Sequence, residues 1–407
     1  MITKHFRQVH QSSEIMPLTR NYKFRLYPTI QQEKRLQNNL NVCKWVYNKF
    51  VESAQNNFLT RNDMNYMLTE LKQHEPWLYK YHSKMLQMVS TQLDGAQKSI
   101  IELNKKGHKT GKIRFARYNE YRTFTYNKSG YKLAQHGNTD LLWLSKIGYV
   151  EIRKHREPIG DIKQISVSRS KSGKWHAMIS CDVTMQNIPR IYLEKSVGID
   201  VGIKNFVYDS AGHVTPNPVN LKKLLKPLAR VQRKISRRQK GSNNRKKAVR
   251  FYQRIHERIA NRRRDFQHKL STQYARDNDV VFVERLAKLN MVKNKKLARS
   301  TLDSGWGMFC NMLDYKCKML VEVSARNTTI DCSRCGNAVP KSLAVRIHKC
   351  DNCGLMLHRD HNASLNILQK GLHVFGISLP QELRKETLVE ISMRSVKQEE
   401  ANELIRW

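Results

Sequence analysis

Residues 331–367 read DCSRCGNAVPKSLAVRIHKCDNCGLMLHRDHNASLNI. The stretch contains two Cys-x-x-Cys pairs, Cys332/Cys335 and Cys350/Cys353, with fourteen residues between them. Each pair turns two sulfur atoms toward one point, and two such pairs complete a tetrahedral four-thiolate site, which suits zinc. Four thiolates leave no open coordination position, so we expect this zinc to be structural. An iron–sulfur site or a redox pair is the alternative.

The chain has 407 residues and a formal net charge of +40 at pH 7. Such a charge repels itself in a compact protein unless a polyanion binds, and nucleic acid is the default partner. An anionic membrane is the rival, but the sequence has no apolar run long enough to span one. The first residues, MITKHFRQVHQSSE, lack the apolar core of a signal peptide, and eight cysteines do not make a disulfide scaffold. We therefore expect a cytoplasmic or nucleoid-associated protein.

The first half of the chain shows one strand, then helices, then several strands. Residues 21–28 alternate as a strand, and residues 29–103 have helical spacing with Thr29 as a possible cap. Short alternating runs over residues 112–184 predict strands of a small β-barrel. Because the first strand precedes the helices, we expect the helical segment to be inserted into that barrel. Residues 1–20 are polar, and we expect them to be poorly ordered.

The second half of the chain predicts a mixed arrangement of strands and helices. VGID and NFVYD, within residues 197–209, read as two strands joined by a turn, and VVFVE at 280–284 reads as a buried strand. A helix is expected over 306–320, followed by a strand over 321–330 that runs into the cysteine pairs. We expect residues 371–407 to form a loose, partly disordered tail.

The most basic stretch, residues 221–270, predicts an antiparallel pair of helices. Glu257 is the only acidic residue between Lys222 and Arg264. A merely solvated helix would mix acidic and basic residues, so a surface that faces phosphates is the better interpretation. The candidate nucleic-acid contacts are Lys222, Lys223, Arg230, Arg233, Lys234, Arg237, Arg238, Lys240, Arg245, Lys246 and Lys247.

Three acidic residues lie at the ends of predicted elements. Asp200 and Glu284 end two apolar strands, and Asp360 begins a helix just after the cysteine knuckle, the name used here for residues 331–354. Acids often end strands and cap helices, so each one alone is a weak signal. Together they can converge at one edge of a mixed sheet and hold two Mg²⁺ or Mn²⁺ ions about 4 Å apart, an arrangement that hydrolyses phosphodiesters. No GxSxG elbow, Walker loop or HExxH motif occurs.

These segments resemble a known family. GIDVGIKNF (198–206), VVFVERLAKLN (280–290), the two Cys-x-x-Cys pairs and HRDHNASLNIL (358–368) resemble, in this order, the three RuvC-type nuclease motifs and inserted zinc ribbon of the transposon-encoded TnpB proteins. The resemblance covers roughly residues 20–370. It implies a multi-domain α/β fold, in which an RNase H-like RuvC domain carries the zinc ribbon and an N-terminal β-barrel (wedge) domain carries a helical recognition domain.

The resemblance also implies domain limits along the chain. In order, these are an N-terminal arm with the first barrel strand (1–28), the helical recognition domain (29–106), the wedge barrel (107–192), the first part of the RuvC-like domain (193–330), the zinc ribbon (331–354), the last part of the RuvC-like domain (355–372) and a partly disordered C-terminal tail (373–407).

The function implied by the resemblance is cleavage of DNA opposite a guide RNA that is transcribed from the transposon end. Asp200, Glu284 and Asp360 match the acids of the three motifs and would take two Mg²⁺ or Mn²⁺ ions, and the four cysteines would hold one zinc ion. The barrel and helices of the family recognise a short motif beside the target. The implied partners are guide RNA and double-stranded target DNA, and we expect a prokaryotic ribonucleoprotein with a monomeric chain and no membrane association.

One departure bears on activity. The third motif of the family usually reads Asp-Arg-Asp, where this chain has His358-Arg359-Asp360. We expect the second acid to be the ligand and activity to survive; if the first were the ligand, the nuclease would be inactive. A compact type V CRISPR effector is an alternative, as is a non-cleaving RNA-guided repressor, although the presence of all three acids argues against the repressor. An unguided nucleic-acid binder with a zinc ribbon would leave Asp200 and Glu284 unexplained.

Overall fold

The computed structural model describes residues 16–54, 58–117, 120–185, 190–285, 293, 297–342 and 345–376. The chain divides into two compact units, Met1–Ile188 and Pro189–Trp407. Within the described ranges, no helix is long and apolar enough to cross a membrane.

The first unit is built on a seven-stranded antiparallel sheet in the order β2-β6-β7-β1-β5-β4-β3. The first strand lies at its centre and pairs with β7 and β5, which confirms that the strand before the helices joins the strands after them. The strands are β1 (Met16–Tyr27), β2 (Thr123–Asn127), β3 (Tyr131–His136), β4 (Thr139–Leu144), β5 (Gly148–Arg153), β6 (Asp161–Arg169) and β7 (Trp175–Met185).

The expected barrel takes the form of a curled sheet. The hydroxyl of Tyr126, on the edge strand β2, donates to the carbonyl of Ser145 at 3.0 Å, just beyond β4. The edge strands β2 and β3 are not paired with each other among the described residues. The expectation of poor order was wrong for residues 16–20, because they pair with β7; residues 1–15 lie outside the described ranges.

Three helices, inserted between β1 and β2, pack against one face of this sheet. Thr29 caps the first of them in a capping box with Gln32, as the sequence predicts. Apolar side chains of the helices, such as Leu36 and Leu93, share one buried core with Phe24 of the sheet. The helices are α1 (Ile30–Ser53), α2 (Arg61–His74) and α3 (Ser83–Lys105), with a 3₁₀ turn at Pro76–Lys80.

The second unit contains a five-stranded mixed sheet in the order β10-β9-β8-β11-β12. The hairpin β8–β9 and strand β10 are antiparallel, whereas β11 runs parallel to both β8 and β12. Parallel strands end at the same edge, so β8 and β11 bring their carboxyl ends together. The strands are β8 (Ser196–Val201), β9 (Asn205–Asp209), β10 (Val214–Pro216), β11 (Val280–Glu284) and β12 (Met319–Val323).

Helices cover both faces of this mixed sheet. The face with Val281 packs against the long basic helix α5 and against α7, and the face with Phe282 packs against the C-terminal helix α8. A two-stranded ribbon, β13 (Ile347–Lys349) with β14 (Met356–His358), belongs to the cysteine region. The helices are α4 (Leu225–Arg237), α5 (Asn243–Asp277), α6 (Ala298–Ser304), α7 (Trp306–Lys316) and α8 (Arg359–Val374).

Three predicted boundaries in this unit were wrong. The helix predicted over 306–320 ends at Lys316, because Met319 and Leu320 extend the parallel ladder beside β11. The strand predicted over 321–330 ends at Val323, and the chain then turns through a left-handed Asn327. The predicted tail begins too early, since α8 continues to Val374; residues 377–407 lie outside the described ranges.

Helix α8 lies directly against β8 and β11, at two glycines. A Cβ atom on Gly198 of β8 would lie 2.6 Å from the backbone nitrogen of Leu368 and would also collide with the carbonyl oxygen of Ser364. A Cβ on Gly371 would enter the ring of Phe282. Only a residue without a side chain therefore permits this approach of helix to sheet.

Substitution of Gly198 by Ala should destabilise the second unit. The added methyl group meets backbone atoms that cannot move aside, and overpacking of this kind costs about 1–3 kcal/mol. Calorimetric unfolding of the full-length protein measures the shift. The matched control is Gly95→Ala on α3, where a Cβ meets nothing within 4 Å; an exposed helical glycine replaced by Ala gains roughly 0.5–1 kcal/mol. Equal effects of the two substitutions would contradict the close-packing argument.

Candidate active site and cysteine knuckle

The three predicted acids meet at one edge of the mixed sheet. Asp200 pairs across the hairpin with Tyr208, and Val283 pairs with Ile199 on the other side. Glu284 therefore lies beside Asp200, and the alternation of side chains puts both on the face that α8 covers. Asp360 is the second residue of α8, whose N-terminus lies at this edge, and its side chain is buried.

The electrostatics of these acids show that they are neighbours. Burial raises the pKa of Asp200 well above its usual range, and the carboxylates of Glu284 and Asp360 raise it further. The guanidinium of Arg359 opposes these effects. Burial also raises the pKa of Glu284, against hydrogen bonding from Thr328. A bound cation would relieve this mutual repulsion, because an opposite charge favours the ionised carboxylates.

The three carboxylates are close but do not form a closed ligand shell. Over the part of the chain that the structure describes, the one group of three or more His, Cys, Asp or Glu residues with ligand atoms within 4.8 Å of one another is the four-cysteine cluster. The side chain of Asp360 instead accepts a hydrogen bond from Nε of Arg359 at 3.3 Å. The fold therefore brings the acids to one edge, and cation binding would have to draw their oxygens together.

His358, which stands where the family usually has an acid, caps helix α8. Its Nδ1 accepts a hydrogen bond from the backbone nitrogen of Asp360 at 3.2 Å. Its ring also stacks on that of Tyr208, with 5.2 Å between the centroids. An Asp side chain caps a helix equally well, so this geometry supports a structural role for position 358, and Asp360 stays the predicted ligand.

The structure adds two groups to the site that the sequence reasoning missed. Tyr208 stacks with both His358 and His361, the latter at 5.3 Å, beside Asp200 and Asp360. Its position could have been found from the hairpin, since a short turn after Val201 places residue 208 opposite residue 200. The hydroxyl of Thr328 donates to Oε1 of Glu284. No sequence signal points to this contact, because it depends on the path of an irregular loop.

The four cysteines converge, as predicted. The sulfur atoms of Cys332 and Cys353 lie 3.6 Å apart, as do those of Cys335 and Cys350. A tetrahedral zinc ion with Zn–S bonds of about 2.3 Å separates its sulfurs by about 3.8 Å, so the cluster has the size of such a site. His348 is not part of this group; its Nδ1 lies 2.7 Å from Nζ of Lys341.

The pKa values of two cysteines in the cluster are shifted in opposite directions. Burial raises the pKa of Cys332 to about 12. Burial acts in the same direction on Cys335, but hydrogen bonds from the backbone of Asn337, the side chain of Asn352 and neighbouring cysteines outweigh it and lower its pKa to about 6. Thiolate is the form of cysteine that binds metal, so a cation at this cluster would favour loss of the thiol protons.

The predicted nucleic-acid contacts on and around α4 and α5 form two groups that differ in exposure. Two arginines hold the turn between the helices and are half-buried: Nη1 of Arg245 donates to the carbonyl of Ile235 at 3.0 Å, and Nη1 of Arg238 to that of Asn244 at 2.6 Å. All eleven stay predicted contacts, and the other nine are exposed: Lys222, Lys223, Arg230, Arg233, Lys234, Arg237, Lys240, Lys246 and Lys247.

Comparison with known proteins identifies the family. A family model described as "Probable transposase" (OrfB_IS605) matches residues 180–295, and its helix-turn-helix companion matches residues 16–62. A Streptomyces pristinaespiralis protein named "Putative RNA-guided DNA endonuclease" is 33% identical over 379 residues, covering 87% of this chain and 89% of the relative. The chain belongs to the TnpB family.

Other relatives support the placement in the TnpB family. Escherichia coli K12 InsQ, which has the same descriptive name, is 30% identical over 379 residues, covering 86% of this chain and 92% of InsQ. A Cas12f1-like TNB domain model matches residues 306–367, which include the cysteine knuckle. A solved complex of Cas12f1 with its guide RNA and target DNA has a similar fold, with a TM-score of 0.50, 13% identity, and coverage of 86% of this chain and 99% of that chain.

Burial of Asp200, together with repulsion from its two acidic neighbours, predicts a gain of stability when this residue is neutralised. Its raised pKa means that the folded chain binds the proton more tightly than the unfolded chain, so its ionisation at neutral pH lowers the free energy of unfolding. In EDTA at pH 7, Asp200→Asn should unfold at a higher temperature than the wild type. Asp314→Asn, an exposed position on α7, is the control and should change little. A lower unfolding temperature for Asp200→Asn would rule out the proposed repulsion.

Proposed function

We propose that this protein is an RNA-guided DNA endonuclease whose hydrolytic site consists of Asp200, Glu284 and Asp360. The observation that carries the proposal is the convergence of these three acids at one sheet edge, in a chain with a net charge of +40. The relatives named as RNA-guided DNA endonucleases supply the activity. The strand order, with an antiparallel β8–β9–β10 followed by parallel β11 and β12, supports an RNase H-like RuvC domain.

Two Mg²⁺ or Mn²⁺ ions fit this site. The donors are carboxylate oxygens, which these hard cations prefer. The charge of Arg359 does not offset the burial and repulsion that raise the pKa of Asp200, so a cation would stabilise its ionised form. Such a pair of ions activates water and stabilises the leaving oxygen of a phosphodiester. The chain itself contributes the ligands, the cap at His358 that fixes the start of α8, and the wall formed by Tyr208.

The proposed partners are a guide RNA from the transposon end and a double-stranded target DNA. The exposed lysines and arginines of α4 and α5 suit the backbone of a guide–target heteroduplex, which is held by its charge and shape. The curled sheet and inserted helices of the first unit would be the wedge and recognition domains that read the target-adjacent motif, within the limits 1–28, 29–106 and 107–192. The RuvC-like parts would be 193–330 and 355–372.

Substitution of any one of the three acids by Ala should abolish cutting while guide RNA and DNA binding persist. Expression with the flanking genomic DNA, and sequencing of the RNA that copurifies, supplies the guide; a plasmid with the matching target and a randomised flank then supplies the substrate. We expect cleavage in Mg²⁺ to fall by more than about 100-fold in each variant, beyond the 10–100-fold typical of residues outside the ligand shell.

Two controls accompany this experiment. Asp314→Ala removes an exposed acid and should leave cutting intact. His358→Asn keeps an acceptor for capping without charge and should also cut, because position 358 is not a ligand in our assignment. Failure of the wild-type ribonucleoprotein to cut its matched target in Mg²⁺ or Mn²⁺ would refute the proposed function.

We further propose one structural zinc ion at the four cysteines. Metal analysis of the purified full-length protein should find about one zinc per chain, and Cys350→Ser should lose it and unfold locally, because the cluster has few apolar contacts of its own. Cys317→Ala, a buried cysteine outside the cluster, is the control and should retain the zinc. Iron with visible absorbance, or no metal at all, would contradict the assignment.

A further inference from the structure

A short loop joins the sheet to the cysteine knuckle beside the proposed active site. This bracket loop, residues 324–331, follows β12 and ends at the residue before Cys332. Its Thr328 is only 2% exposed, and its hydroxyl donates to Oε1 of Glu284. The carbonyl oxygen of Ala325, 3.2 Å from the same hydroxyl, is a second possible acceptor. Thr328 lies outside the three acidic motifs and has no assigned role.

The bracket loop is held from α8 by side-chain donors. Nδ2 of Asn366 donates to the carbonyl of Thr328 at 2.8 Å and to that of Asp331 at 2.7 Å. Nζ of Lys370, one turn later on the helix, donates to the carbonyl of Arg326. Thr328 is therefore fixed by its main chain on one side and contacts the carboxylate on the other.

Side chains on the same face of α8 also form hydrogen bonds with the cysteine knuckle. Asn362, which is fully buried, accepts from the backbone nitrogen of Ser333 at 2.9 Å and donates to the carbonyl of Asp331 at 2.8 Å. Gln369 donates to the carbonyl of Ser333 at 2.7 Å. Residues 362, 366 and 369 are spaced by four and three and so form one stripe on the helix. Buried amides that lost such partners would cost free energy, so the stripe locks loop and knuckle together.

We propose that Thr328 is a positioning residue for Glu284, and that the cysteine knuckle keeps Thr328 in place through the amide stripe of α8. Glu284 ends its strand and has a long side chain with several rotatable bonds. The hydroxyl of Thr328 occupies one carboxylate oxygen and leaves the other for a metal ion. This inference rests on the proposed function, since it assigns Glu284 to the hydrolytic site.

The first test removes the hydroxyl while keeping the shape of the side chain. The wild-type protein with its copurified guide RNA, Thr328→Val and Thr328→Ser are assayed on the matched target over a range of Mg²⁺ concentrations. We expect the half-saturating Mg²⁺ concentration of Thr328→Val to rise by about 10–100-fold, the usual effect of an outer-shell residue, with a smaller change in the rate at saturation. Thr328→Ser should restore the wild-type dependence. Thr329→Val, at the exposed neighbouring position, is the matched control.

The second test addresses the coupling through α8. Asn366→Ala should shift the Mg²⁺ dependence in the same direction as Thr328→Val, and the double variant should be no worse than Thr328→Val alone, because both act on Glu284 through one contact. Additive effects would overturn the role of the amide stripe. Unfolding temperatures of all variants separate this effect from loss of folding.

The outcomes also separate this inference from the proposed function. An unchanged Mg²⁺ dependence in Thr328→Val, or an equal shift in Thr328→Val and Thr328→Ser, would overturn the positioning role. If the wild type does not cut, the proposed function fails, and calorimetric titration of the full-length protein with Mn²⁺ still decides the inference. Weaker Mn²⁺ binding by Thr328→Val than by Thr328→Ser supports it, and equal binding rejects it.

Discussion

The direct contact between α8 and β8 at Gly198 is the constraint on which the site depends. Side chains usually separate a helix from the sheet on which it packs; here Gly198 of the sheet and Gly371 of the helix have none, and the helix lies closer. The helix N-terminus can therefore lie at the edge where β8 and β11 end. Asp360 enters the site from a helix while Asp200 and Glu284 enter from strands, so three rigid elements each position one carboxylate.

This arrangement makes the three carboxylates repel one another, and each of them has different neighbouring groups that offset the repulsion. Asp360 lies in the first turn of α8, where the partial positive charge of the helix terminus favours a carboxylate, and Arg359 adds a hydrogen bond. Glu284 has the hydroxyl of Thr328. For Asp200, the charge of Arg359 and a backbone hydrogen bond from Val201 act against burial and the two neighbouring carboxylates, yet its pKa still lies well above its usual range. A cation beside Asp200 would favour its ionised form.

The sequence predicts these acids and the cysteines because both depend on local patterns. The end of an apolar strand is visible in the sequence, and because β8 and β11 are parallel, Asp200 and Glu284 lie at the same edge of the sheet. The spacing of paired cysteines is enough to predict a metal site. The end of α7 and the continuation of α8 past Gly371 could not be read in this way, since both follow from packing against β11. No local pattern predicts the contact of Thr328 with Glu284, because it depends on how the loop, the helix and the strand pack together.

The position of the cysteine knuckle in the chain links it to the sheet edge where the three acids meet. Its own apolar cluster consists of Cys332, Cys350 and Leu355 with a few half-buried neighbours, which is too little to fold alone. The amides of α8 supply part of its order, and the proposed zinc ion would supply the rest. The knuckle lies between β12 and α8, so whatever orders it also fixes the bracket loop that precedes it and the helix start that follows it. The bracket loop contacts Glu284 through Thr328, and the start of α8 carries Asp360. An ordered knuckle therefore helps to fix the distance between these two acids.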